Sequence, residues 1–186
     1  SFEPAAELPY LAGVARLDRF WTEAHVARDE TPVAAATVAR LGAEALGRTV
    51  LHPHASARWA WFDDAPIVSI WERNRAGATI AHGGASLASD PESESIAGES
   101  EGLAPDLEWR AEGVLITRPR GKVEWTALPK AGGAFLDACA AGRTLAEAAT
   151  AALDADPRAD LAALMALLLD AGAIGRIVTG VVDLED

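Results

Sequence analysis

The sequence predicts an α+β fold, in which a helical N-terminal part with short strands precedes a small antiparallel sheet backed by three helices. Three observations predict it. Residues 113–118 and 122–128 alternate as strands do: Val114 and Ile116 are set against Leu115 and Thr117, and Val123, Trp125 and Ala127 against Glu124, Thr126 and Leu128. From Pro129 onward the apolar spacing changes from two residues to about 3.6. Upstream, residues 77–106 are rich in Gly, Ser, Ala, Asp and Glu and hold no lysine or arginine, which reads as a solvated acidic linker or long loop. The expected organisation is an N-terminal α+β module over 1–76, that linker over 77–106, and a second module over 107–186.

Each element has a local cause. Residues 1–8, with Pro4, form a lead-in. Leu11, Val14, Leu17, Trp21, Ala24 and His25 recur at spacings of three and four, which predicts an amphipathic helix over 9–28. Thr31-Pro32 supplies a cap and a first-turn proline, so a second helix is expected over 33–46, stopping at Gly47. Residues 48–62 read as extended, with Val50, His52 and His54 on one face, Trp59 and Trp61 further along, and Pro53 marking an edge or a break. Pro66 opens a helix through Ile67, Ile70 and Trp71 to Arg75.

In the second module Pro119-Arg120-Gly121 is the turn of a hairpin. Ala134, Phe135, Ala138 and Cys139 stripe the first helix, and Leu145, Ala148, Ala149 and Leu153 the second. Leu161, Leu164, Leu167, Leu168 and Ala171 stripe the third. Thr144, followed three residues later by Glu147, is a capping box. A β-branched run over 176–182 is expected to add a closing strand before an acidic tail.

Composition narrows the function. The 186-residue chain carries a formal net charge of −12, a field that repels nucleic-acid phosphates; the densest basic group is Arg118, Arg120 and Lys122 around one turn. Its single cysteine excludes an internal disulfide and any multi-cysteine zinc site, and fits a reducing, cytoplasmic setting. No apolar run is long enough to span a bilayer, so no membrane partner is expected. The chain opens at Ser1 without a methionine, which reads as a processed or truncated product.

Candidate chemistry is sparse. His52-Pro53-His54 places two imidazoles at a spacing a metal can use, but no further Cys or His lies near, so a structural role is expected and no metal site is assigned. Cys139 falls on an apolar stripe beside Phe135 and reads as a buried, inert thiol. Asp63-Asp64 and Asp160 precede helices and read as caps. None of the nucleotide, hydrolase or metalloprotease motifs is present, so the expectation is no catalytic residue, no cofactor and no enzyme. Trp125, on the same side of its strand as Val123 and Ala127, either packs against helices or lines a peptide groove.

The paired strands over 113–118 and 122–128 lead into Pro129-Lys130-Ala131-Gly132-Gly133-Ala134-Phe135-Leu136, then Gly142-Arg143-Thr144-Leu145-Ala146-Glu147, and finally the leucine-rich helix over 161–173. This arrangement resembles the precursor-peptide recognition domain of peptide-modifying systems, the winged-helix-like fold of pyrroloquinoline-quinone chaperone proteins. The resemblance implies that a leader peptide adds as a strand to a sheet edge and packs against the third helix. It marks Val123, Trp125, Ala127, Leu161, Leu164 and Leu168 as peptide-binding.

Residues 4–17, then Leu51-His52-Pro53 and Ile70-Trp71-Glu72-Arg73-Asn74, resemble the partner subunit of multinuclear non-haem iron oxidases. Those oxidases modify cysteines of ribosomally made peptides, including copper-binding bufferin and methanobactin-type products. That family usually carries a further N-terminal helical domain and is often labelled DNA-binding; the chain begins where that domain should end. The resemblance implies a non-catalytic adaptor that holds the precursor's leader peptide and presents it to an iron oxidase subunit, with Trp59, Trp61 and Trp71 as partner-binding residues. The rival reading is a winged-helix transcription regulator. It requires cations on a recognition helix, and residues 161–171 contain none.

Overall fold

The computed structural model describes residues 8–82 and 108–179. Its elements, in chain order, are α1 (Leu11–Val26), α2 (Ala35–Ala39), α3 (Ala43–Arg48), β1 (Val50–Pro53), β2 (Arg58–Phe62), α4 (Ile67–His82), β3 (Glu112–Thr117), β4 (Glu124–Ala127), α5 (Lys130–Ala140), α6 (Leu145–Ala155), α7 (Leu161–Asp170) and β5 (Ile174–Val178). The α+β class expected from the sequence is the class observed.

Strand pairing does not follow the expected division into modules. β2, from the N-terminal part, pairs antiparallel with β3, and β3 pairs with β4, giving the order β2-β3-β4. β1 pairs antiparallel with β5, near the other end of the chain. Both pairings join the first half to the second, so the described residues form one interlocked unit. Most of the lead-in, most of the proposed linker and the whole acidic tail, within residues 1–7, 83–107 and 180–186, lie outside the described residues.

Alternation along β3 generates two cores, one on each face of the three-stranded sheet. Val114 and Ile116 face α1 and α4, packing with Leu17, Phe20, Ala24, Ala60, Ile67, Val68, Trp71 and Val123. Leu115 points the other way, into a cluster with Phe135, Leu136 and Cys139 of α5, Ala148 and Ala152 of α6, and Leu164 and Leu168 of α7. Leu51 and Ile174 carry the β1–β5 pair into this second cluster. The molecule is therefore layered: α1 and α4, then the sheet, then α5 to α7.

Local signals account for the C-terminal helices. Thr144 and Glu147 cap each other's backbone at the start of α6, as the capping box requires. Asp160 accepts from the Ala162 and Ala163 amides at 2.9 and 3.0 Å, closing the first turn of α7. Gly121, at φ 81°, turns the chain between β3 and β4.

Two helices depart from expectation. The single helix over 33–46 starts late, because the Val33 amide donates to Ile174 O at 2.8 Å, and is broken into α2 and α3 at Gly42, whose backbone is extended. Thr31 is therefore not a cap. α4 runs to His82 rather than ending at Arg75. Its first turn is held by Glu112, which accepts from the Ser69 amide and hydroxyl at 2.9 and 2.6 Å. Asp63 instead accepts from Trp61 Nε1 and Lys130 Nζ, and these partners hold its carboxyl below the usual range.

Candidate functional site

The feature that stands out is the outer edge of β4. Among the described residues no strand pairs on that side. Antiparallel partners alternate between pairs that exchange backbone hydrogen bonds and pairs that do not. The Leu128 amide donates to Gly113 O at 2.9 Å, so the bonded pairs continue as Thr126 with Leu115 and Glu124 with Thr117. The N–H and C=O of Trp125 and Ala127 are left pointing outward. Together they offer two donors and two acceptors in the geometry of a ladder.

Two walls flank this edge. On the α7 side a groove of about 170 Å³ is lined by Thr126, Glu124, Arg120, Leu167, Asp170 and Ala171, among others. It meets a larger, shallower depression of about 800 Å³ that Pro32, Val33 and Leu169 share with Leu167 and Asp170. On the α1/α4 side stand three tryptophans. The rings of Trp21, Trp71 and Trp125 lie 5.4 to 6.0 Å apart, centroid to centroid, two of the pairs edge to face. Trp71 Nε1 donates to Asp18 Oδ1 at 2.8 Å, and Trp125 Nε1 to Glu72 Oε1 at 2.6 Å. The Arg75 guanidinium sits over the Trp21 ring, 3.8 Å from its centroid.

The residues marked in the sequence divide among three environments. Trp125 is 42 % exposed and Ala127 is exposed, and both belong to the free edge. Val123 is buried beneath α1 and α4, so it is a core residue with no surface to offer a peptide. Leu164 and Leu168 are likewise buried, packed against α5 and β3, while Leu161 is partly buried against the same core. Val123, Trp125 and Ala127 also face α1 and α4, because their cross-strand partners Ile116 and Val114 do. They do not share a face with α7. The β4 side chains turned toward α7 are Glu124 and Thr126, and the α7 residues that reach the groove are Leu167 and Asp170. Those four, with Trp21 and Glu72, are what sequence reasoning missed; alternation placed Glu124 and Thr126 on a common face without saying which helix covers it.

The three tryptophans assigned to a partner also separate. Trp71, 1 % exposed, is the centre of the aromatic trio and is closed to any partner. Trp59 and Trp61 lie half-buried on β2, the opposite edge of the sheet. By the same alternation their backbone groups point outward, beside a groove of about 380 Å³ whose other wall includes Lys130, Gly133 and Asp137 of α5. Trp59 Nε1 donates to Asp137 Oδ1 at 2.8 Å.

Catalytic and metal-binding alternatives find little to build on. His54 is buried, with Nδ1 2.8 Å from Ser56 Oγ and Nε2 2.8 Å from Glu30 O, so both ring nitrogens are engaged. No group of three or more His, Cys, Asp or Glu side chains converges among the described residues. Burial pushes the Cys139 thiol up to about 12, far from a reactive thiolate. Arg118, the one buried cation of the turn, is spent on Ala24 O, Ala27 O and Asp29. No helix among the described residues is long and apolar enough to cross a membrane. Comparison of the chain with protein-family models, curated proteins and solved structures gives no match.

Proposed function

We propose that this protein is a non-catalytic adaptor that binds the leader segment of a ribosomally made precursor peptide as an added strand on β4. It would present that peptide to a partner iron-dependent oxidase, docked on the Trp59 and Trp61 edge. The observation that carries this reading is the β4 edge itself, where outward backbone groups of Trp125 and Ala127 lie beside a groove walled by α7. A peptide strand completes the sheet there without disturbing either core. Its location is the one the resemblance implies, a sheet edge next to the third C-terminal helix. A DNA-reading role gains nothing from this surface: α7 carries no lysine or arginine, and the groove has Arg120 with two carboxylates, Glu124 and Asp170.

The test is Ala127→Pro. Proline removes the outward amide without touching a bond to β3, which an edge strand tolerates. The variant, mixed with a candidate leader peptide and an iron-dependent oxidase subunit that wild type captures, should retain the oxidase and lose the peptide in a pull-down. Wild-type peptide binding by a folded Ala127→Pro variant would overturn the proposal.

A further inference from the structure

The two walls of the β4 edge differ in chemistry, and that difference specifies the peptide. Side chains of an added strand alternate between the two faces of the sheet. A residue opposite Trp125 faces the α1/α4 side, where it meets the exposed part of the Trp125 ring and the Glu72 carboxylate that accepts from Trp125 Nε1. The residues before and after it turn to the α7 side and meet Thr126, Leu167 and Ala171 in the smaller groove.

We propose that the peptide taken by this edge carries an arginine or lysine opposite Trp125. The inference rests on the strand-addition reading and adds the identity of one side chain. Three observations support the cation. The indole face and the neighbouring carboxylate form a paired attraction for it, through the ring quadrupole and through charge. This aromatic group already holds a guanidinium of its own: Arg75 lies over Trp21 and also pairs with Asp18 at 3.8 Å. Finally, Asp18, Glu72, Glu124 and Asp170 outnumber Arg75 and Arg120, which pair with Asp18 and Glu124, around this edge of a chain of net charge −12, a field that favours a basic strand over an acidic one. On the other face the smaller groove is lined by Thr126, Leu167 and Ala171 together with Arg120, Glu124 and Asp170.

The probe is a fluorescein-labelled peptide of alternating threonine and valine, with lysine, glutamine or glutamate at its centre, titrated by anisotropy into wild-type protein and into Glu72→Gln and Ala127→Pro. The lysine peptide should bind about fivefold more tightly than the glutamine peptide, and the glutamate peptide most weakly. Glu72→Gln should reduce the lysine preference, and Ala127→Pro should abolish binding of every peptide. Equal affinity for the three peptides in wild-type protein, with binding still lost in Ala127→Pro, overturns the cation subsite and leaves strand addition standing. Absence of binding by all three, or binding that survives Ala127→Pro, overturns strand addition and the subsite with it. The comparison among peptides uses the wild-type chain, so it does not depend on how either variant folds.

Discussion

Arg118 holds the tryptophan wall in place, and removing its guanidinium should show how firmly. Its side chain, only 12 % exposed, reaches from the end of β3 to the end of α1, where helix carbonyls have no partner of their own. Nε donates to Ala24 O at 3.0 Å and Nη2 donates to Ala27 O. The third contact, Nη1 to Asp29 Oδ1 at 2.8 Å, ends on a carboxylate that is 93 % exposed and is worth little in water. Each bond from the guanidinium to a carbonyl contributes about 1.5 kcal/mol or more. Arg118→Met, which keeps the apolar stem, should therefore cost about 3 kcal/mol. For a chain of this length that lowers Tm by roughly 6 to 12 °C. Urea unfolding followed by tryptophan fluorescence reads the change directly, provided the slope with denaturant is unchanged. Asp29→Asn should cost less than about 0.5 kcal/mol. A loss below about 1 kcal/mol for Arg118→Met, or an equal loss for Asp29→Asn, would refute the assignment of the carbonyls as the partners that matter.

Other parts of the fold make equally specific demands. A Cβ on Gly113 would meet the Leu128 carbonyl oxygen and the Trp61 ring at 2.6 Å, so Gly113→Ala should destabilise by about 3 kcal/mol and loosen β4. Gly133, in α5 with open space around it, should instead gain about 0.5 kcal/mol on change to alanine, as measured in the same denaturation assay. With its thiol raised to about 12 by burial, Cys139 should react with a thiol reagent at neutral pH only as fast as the protein opens; rapid labelling of the native chain would contradict its placement. The Thr144 amide and hydroxyl hold the Glu147 carboxyl below its ordinary value. Because the folded value is depressed, the capping contribution is present above the ordinary carboxylate range and is lost as pH falls through the folded value. The stability advantage of wild type over Glu147→Gln should therefore be constant near neutrality and shrink on the acid side.

What the sequence revealed was local. The hairpin was legible because alternation and the Gly121 turn are adjacent in the chain, and α6 and α7 because Thr144, Glu147 and Asp160 announce their starts. The pairings of β1 with β5 and β2 with β3 join residues fifty or more positions apart, and no residue near Val50 or Trp59 signals a distant partner. That is why the chain reads as two modules while its described residues form one interlocked unit. The late start of α2 has the same origin, since it is the distant Ile174 carbonyl that claims the Val33 amide. Around β4 the sequence grouped side chains without saying which helix each group faces. Alternation grouped Val123, Trp125 and Ala127 correctly, but the core around Leu115 turns the opposite face of β4 toward α7. Of the leucines chosen from the α7 stripe, Leu164 and Leu168 are buried and Leu161 is partly buried, which leaves Leu167 and Asp170 to line the groove.

The central claim is that a peptide completes the sheet at β4, and amide hydrogen exchange tests it residue by residue. The Thr126 amide is already bonded to Leu115, whereas those of Trp125 and Ala127 face outward. Binding of the lysine-centred peptide should slow exchange at Trp125 and Ala127 and leave Thr126 little changed. Unaltered exchange at Trp125 and Ala127 when the peptide is bound, or protection appearing instead at Trp59 and Trp61, would contradict the account.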